Sequence, residues 1–164
     1  MLRRVFLLAG LVLLVSVGAR AQGLGDKLEV SAGFSYMNFG SSPSTNMNGW
    51  VLGAQYKFND WLGGVADFSG NYGSGQSVHT FLFGPQISWP ARVSPFAHIL
   101  IGGAHYGAPG VGDAAFAAAF GAGIDTRLAD HVSWRIIEGD YLPTHFFGST
   151  QNNARISTAL IVRF

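Results

Sequence analysis

The last ten residues, Arg155-Ile-Ser-Thr-Ala-Leu-Ile-Val-Arg-Phe164, alternate in character. In an extended chain Ile156, Thr158, Leu160, Val162 and Phe164 fall on one side, and Arg155, Ser157, Ala159, Ile161 and Arg163 on the other. A period of two marks a β-strand with unlike faces, because successive side chains point to opposite sides of a sheet.

The same period recurs towards the N-terminus. Leu28, Val30, Ala32, Phe34 and Tyr36 oppose Glu29, Ser31, Gly33 and Ser35. Trp50, Leu52, Ala54, Tyr56 and Phe58 oppose Val51, Gly53, Gln55 and Lys57. Further runs span Leu62 to Tyr72, Phe81 to Trp89, Pro95 to Tyr106, Phe116 to Leu128 and His131 to Leu142. The alternation therefore predicts eight strands. Most are about ten residues long, the length a tilted strand needs to cross the hydrocarbon layer of a membrane. An even strand count lets an antiparallel sheet close as bacterial single-chain barrels do.

The links sort by length. Those near Asn59-Asp60, Pro90 to Ser94 and Ala129-Asp130 read as short turns. Those from Gly40 to Gly49, Gly73 to Ser77, Gly107 to Asp113 and Thr144 to Asn153 read as longer loops, rich in Gly, Ser, Pro and Asn. Short periplasmic turns and longer outer loops are the outer-membrane arrangement, with both termini in the periplasm.

Composition separates a lipid-facing barrel from a soluble sandwich or lipocalin-like barrel. Only 12% of residues are charged, against about 25% in an ordinary soluble domain. A sandwich would load its solvent face with Lys and Glu, yet after residue 21 the only lysines are Lys27 and Lys57. Large rings stand near the predicted strand ends: Tyr36, Phe39, Trp50, Phe58, Trp61, Tyr72, Trp89, Tyr141 and Phe164. Aromatic girdles of this kind belong at membrane–water interfaces. The expected fold is all-β, an eight-stranded antiparallel up-and-down transmembrane barrel. Its interior should be a tight hydrophilic centre filled by side chains.

Residues 1–21 read as a cleaved signal peptide. Arg3 and Arg4 precede an uncharged run from Val5 to Gly18, and Ala19-Arg20-Ala21 is a small-x-small cleavage site. The barrel domain is then 22–164. Losing Arg3, Arg4 and Arg20 leaves seven basic and nine acidic residues, a net charge of −2. That balance offers no basic field for nucleic acid. The absence of Cys excludes disulfides, thiolate metal sites and a Cys nucleophile.

The exported start, the opening strand Leu28-Glu-Val-Ser-Ala-Gly-Phe-Ser-Tyr36, the segment Arg135-Ile-Ile-Glu-Gly-Asp-Tyr-Leu142 and the ending Ile156 to Phe164 carry a resemblance. The chain resembles the OmpA-type family of small eight-stranded outer-membrane barrels, the outer membrane protein beta-barrel domain group. The resemblance implies the cell outer membrane as location. It implies outer-membrane lipids and lipopolysaccharide as surroundings, and the barrel-assembly machinery as a partner. Ile156, Leu160, Val162 and the terminal Phe164 look like the family's assembly signal. Because the chain stops at Phe164, the cell-wall tethering of full-length OmpA is not carried over. A monomer, without cofactor, is expected.

The inward register collects Glu29, Lys57, Asp67, Asp125, Arg127, Glu138, Asp140, Arg155 and Arg163. A charged gate is one reading. Structural pairing is favoured, because charges in a narrow interior must pair or be costly. Arg135 and Asp140 are five apart and cannot both face inward without a bulge; Asp140 is placed inward and Arg135 at the periplasmic rim. His98 is placed in the lumen, while His79, His105, His131 and His145 lie near strand ends or in loops. No histidine pair has a usual metal spacing. His131-Val-Ser133 echoes the His–Ser pair of lipid A deacylases, but it follows a predicted periplasmic turn, away from the outer leaflet. Gly70 to Gly75 reads as a hairpin, since no Lys-Ser/Thr and helix follow it. The leading functional expectation is a non-enzymatic membrane barrel with a structural or surface-interaction role. An extracellular ligand would meet loop one (Ser41 to Asn48) or loop four (Thr144 to Asn153, with Phe146 and Phe147). A small pore is the alternative; a lipid A-modifying enzyme ranks below it.

Overall fold

A computed structural model describes residues 27–40 and 43–164. The expected signal peptide, 1–21, lies outside the described residues. Eight antiparallel strands follow one another: β1 (Leu28–Phe39), β2 (Thr45–Lys57), β3 (Leu62–Gly73), β4 (Gln76–Ser88), β5 (Val93–Ala108), β6 (Val111–Ala129), β7 (Val132–Phe146) and β8 (Ser149–Arg163). Each pairs with its sequence neighbours, and β8 closes on β1 through Glu29↔Arg163 to Asn38↔Ala154. Closure satisfies the ladder of every strand and leaves no open edge.

Period two decides the faces. In β1, Glu29, Ser35, Met37 and Phe39 are buried inside, while Phe34 and Tyr36 point out. Phe39 therefore departs from the outer-face expectation. It is an odd number of residues from Tyr36 and shares the inward parity of Met37, so it lies in the lumen at 3% exposure.

The two ends of the barrel also differ from expectation. Three of the four links expected to be long are two-residue turns: Ser74-Gly75, Pro109-Gly110 and Phe147-Gly148. The fourth shrinks to 40–44. The Gly, Ser and Asn that suggest loops are paired strand residues, as in His145↔Thr150 and Leu142↔Asn153. Ser74, Gly75, Phe147 and Gly148 all have positive φ, which matches a two-residue hairpin to the twist of its strands. The opposite links, 58–61, 89–92 and 130–131, are no shorter. Loop length therefore gives no sidedness, and the hairpin end offers far less loop than expected.

The interior has two storeys. Towards the hairpin end, Met37, Met47, Val78, Leu82, Leu100, Ala104, Leu142 and Phe146 form a buried apolar core. Phe39 stacks on Tyr106 with centroids 5.7 Å apart, and Phe146 packs against both rings. This aromatic lid replaces the uniformly hydrophilic centre expected from the sequence. In the other half polar and charged residues predominate, packed with Val51, Phe96, Ala159 and Ile161.

Leu100→Ala should therefore behave as a core truncation. It should lower unfolding stability by about 2–5 kcal/mol in urea titrations of the barrel folded into lipid vesicles, read by Trp fluorescence. A loss well below that range would mean that the upper lumen is loosely packed.

Candidate functional site

The polar storey holds two charged clusters. Near the turn end, Glu29 Oε1 accepts from Lys57 Nζ (2.7 Å) and from Arg163 Nε (2.7 Å) and Nη2 (2.5 Å). The three residues come from the neighbouring strands β1, β2 and β8: Arg163 stands directly opposite Glu29, and Lys57 lies two residues beyond Gln55, the residue opposite Glu29 on β2.

The second cluster lies at mid-height. Arg155 of β8 is fully buried. Its Nη1 donates to Asp67 Oδ1 across the lumen (2.8 Å), and its Nε donates to Asp140 Oδ2 (2.8 Å). Nη2 lies 2.7 Å from Asp140 Oδ2 and 3.8 Å from Glu138 Oε1. His98 Nε2 is 2.8 Å from Asp140 Oδ1. Gly121, opposite both His98 and Asp140 in register, makes the room: a Cβ there would collide with Asp140 Oδ1 and His98 Nε2.

Arg135 belongs to this cluster, contrary to its expected place at the rim. A register shift between Arg135 and Glu138 on the β7–β8 ladder puts Ile136 and Ile137 both on the outer face, 40% and 48% exposed. The extra residue turns Arg135 inward while Glu138 and Asp140 stay inward. Its guanidinium makes a bidentate pair with Asp125 (2.9 and 3.1 Å), donates to Glu138 Oε2 (2.5 Å) and lies 4.1 Å over the Phe96 ring. Two parallel bonds and a ring face suit the planar guanidinium. The conditional statement that both ends of this segment need a bulge is in the sequence; the bulge itself is not.

Of the nine residues expected inside, Glu29, Lys57 and Arg163 meet in the first cluster, and Asp67, Asp125, Glu138, Asp140 and Arg155 in the second. Arg127 is exposed near the turn end of β6 and joins neither. A second register shift, between Arg127 and Ala129, breaks the alternation there. His98 is buried in the lumen. His131 is exposed in the turn, whereas Ser133 is buried facing inward, so the two do not present one accessible face.

The outer face is apolar around the whole barrel. Tyr36, Trp50, Phe58, Trp61, Tyr72, Trp89 and Tyr141 are all exposed there. Phe58, Trp61 and Trp89 stand at the turn end, and Tyr36 and Tyr72 towards the hairpins. Eleven residues separate Trp61 from Tyr72. At about 3.3 Å per residue and a tilt of about 40° the rise is roughly 28 Å, close to the ~25 Å apolar band of an outer-membrane barrel. Ile156, Leu160 and Val162 point outward between the bands, and Phe164 N donates to Leu28 O (2.8 Å). Phe146, expected on a contact loop, is buried in the lid, and Phe147 is exposed at the turn.

Removing Arg155 would leave Asp67 and Asp140 buried without their guanidinium. Arg155→Met should therefore cost about 3–5 kcal/mol or abolish folding, judged by heat-modifiable gel mobility and urea titration. Lys57→Met, at a partly exposed pair, should cost no more than about 1 kcal/mol. Equal effects would contradict the burial difference between the clusters.

No family model matches the chain, and no curated protein is significantly similar to it in sequence. Solved structures are similar in fold. Neisserial surface protein A (NspA) superimposes with a TM-score of 0.64 at 14% identity, over 84% of this chain and 97% of that one. Ail, the attachment invasion locus protein of Yersinia pestis, gives 0.57 at 15% identity over 85% and 99%. The N-terminal β-barrel domain of Pseudomonas aeruginosa OprF gives 0.53 at 9% identity over 83% and 97%. The period-two strands, the closed ladder and these superpositions together give the chain the fold of the OmpA-type eight-stranded outer-membrane barrels.

Proposed function

We propose that the chain is an integral protein of the cell outer membrane, exported by a cleaved signal peptide. In this reading it acts without enzymatic chemistry, supports envelope integrity and presents its hairpin end outside the cell. The observation that carries this reading is the continuous apolar outer face of a closed barrel. Exposed side chains such as Leu52, Phe68, Phe81, Phe83, Ile99, Phe120 and Leu160 make a surface far beyond the apolar patches that a water-soluble monomer tolerates. Acyl chains are the solvent that fits it. Outer-membrane lipids and lipopolysaccharide are then its surroundings, and the assembly machinery reads its last strand. Complete closure requires no second subunit, which fits a monomer.

A filled lumen argues for a structural rather than a conducting barrel. The apolar core and aromatic lid block one half, and Arg155 bridges the other. A surface role draws on analogy with NspA and Ail, whose names mark them as surface and attachment proteins. Contact would then fall on rigid hairpin tips and the 40–44 link, not on long adaptable loops.

Leu52 lies near the middle of β2 and points outward. In bilayers Leu52→Arg should destabilise the barrel by about 2–4 kcal/mol, the cost of a cation at the membrane midplane. A water-facing site would change by no more than about 0.5 kcal/mol, and that result would remove the membrane assignment. In planar bilayers the purified protein should pass no steady ionic current; a reproducible conductance would favour the pore.

A further inference from the structure

The mid-lumen cluster is not balanced in charge. Asp67, Asp125, Glu138 and Asp140 meet two guanidinium groups, those of Arg135 and Arg155, and the imidazole of His98. With the four carboxylates and two guanidinium groups ionised and the imidazole neutral, two negative charges are in surplus in a buried place. Such a surplus is costly unless a counter-charge joins it.

Beside the cluster lies a cavity of about 20 Å³, room for about one water or a small ion. Glu29, Asp67, Gln86, His98, Arg135 and Glu138 are among its walls. Two of these walls carry buried polar atoms with no partner: Nδ1 of His98 and Oε1 of Gln86. His98 is 5% exposed and Gln86 1%, so bulk water does not satisfy them. Asp140 explains which imidazole atom is free. Its carboxylate sits 2.8 Å from His98 Nε2, which favours the proton on Nε2 and leaves the Nδ1 lone pair open. A carboxylate behind one imidazole nitrogen and a vacant lone pair on the other is the relay that orients metal-binding histidines. His98 and Glu138 belong to a group whose ligand atoms lie within 4.8 Å of one another; Asp140, its third member, is already engaged by His98 Nε2 and by Arg155 and stands behind the imidazole. An ion with ligand bonds of about 2.0–2.2 Å would draw such a group together by small side-chain shifts.

We propose that the middle of the lumen is a binding site for one divalent transition-metal ion of the zinc class, held by His98 and Glu138. Asp140 is the positioning residue for the imidazole, and Gln86 supplies a neutral oxygen at the same wall. The ion brings the two positive charges that the cluster lacks. Imidazole with carboxylate selects zinc-class metals over calcium and magnesium, which take oxygen alone. The inference does not depend on where the barrel resides.

The test uses the whole barrel, refolded in detergent, stripped with a chelator and titrated with Zn²⁺. One equivalent should bind, and X-ray absorption at the zinc edge should show a single imidazole among oxygen ligands. His98→Gln should abolish that binding, while a double His79→Gln, His105→Gln variant should keep it. No binding, two or more imidazoles at the metal, or full binding by the His98→Gln protein would each overturn the proposal. Should His98→Gln fail to fold, the absorption spectrum of the unaltered protein still decides between one lumen imidazole and a surface cluster. A loss of membrane insertion in Leu52→Arg bears on the proposed location and leaves this result unaffected.

Discussion

The guanidinium of Arg155 ties together walls that the backbone cannot. Ladder hydrogen bonds join only neighbouring strands, so β8 touches β7 and β1. Arg155 reaches past them to Asp67 on β3, 88 residues away in sequence. It does so because an eight-stranded barrel is just narrow enough for side chains from opposite walls to meet. The same narrowness makes the contact obligatory: an arginine there has little water to fall back on, and neither has Asp140. The inward small residues follow from this constraint. Gly121 is bare where His98 and Asp140 need the space, and Ser157 is short enough to donate to Glu138 Oε1 (3.3 Å) beside the arginine.

Above this layer the interior changes chemistry. Neutral hydrogen bonds, Ser35 to Asn71 (2.9 Å) and Ser69 with Thr80 (2.7 Å), link buried polar side chains of β1, β3 and β4, and the buried Met37, Met47, Leu82 and Leu142 make an apolar cluster. The result resembles a globular core wrapped by a sheet and set on an ionic base. Water crossing it would have to disrupt both the aromatic lid and the Arg155 pairs.

The strands and their faces were legible in the sequence, because a period of two survives any tilt or shear. Glu29, Asp67, Glu138, Asp140 and Arg155 could be assigned inward by parity alone. Parity failed where the ladder skips a residue. The shift beside Ile136 moved Arg135 inside, and the one beside Arg127 left that residue exposed. The upper core was illegible for a different reason. Leu82, between Phe81 and Phe83, and Leu100, between Ile99 and Ile101, occupy runs that are apolar on both faces, so composition could not say which face met lipid and which met other side chains. The loops were over-read because Gly, Ser and Asn serve equally as turn residues and as compact inward strand residues. Asn153 shows the second use: its amide donates to Leu142 O (2.8 Å) and Thr144 Oγ1 (3.0 Å) from within β8.

Binding usually concentrates on adaptable loops carried by a rigid scaffold. This barrel has little such material among its described residues. Four of the links between strands are two residues long, and the turn between β7 and β8 is pinned further by Asp113 Oδ2, which accepts from Phe147 N (2.6 Å). Rigid tips can still dock on a preformed partner, but they cannot reshape around one. The interior is the opposite case. Between Asp67 and Arg135 it gathers four carboxylates, an imidazole with one nitrogen unspent and a cavity of ionic size, all held by strands that cannot move independently. Pre-organisation of that kind is what a small-ion site requires. The chemical specificity of the chain is therefore written inside its wall, while its outer surface is specified mainly by the need to be greasy.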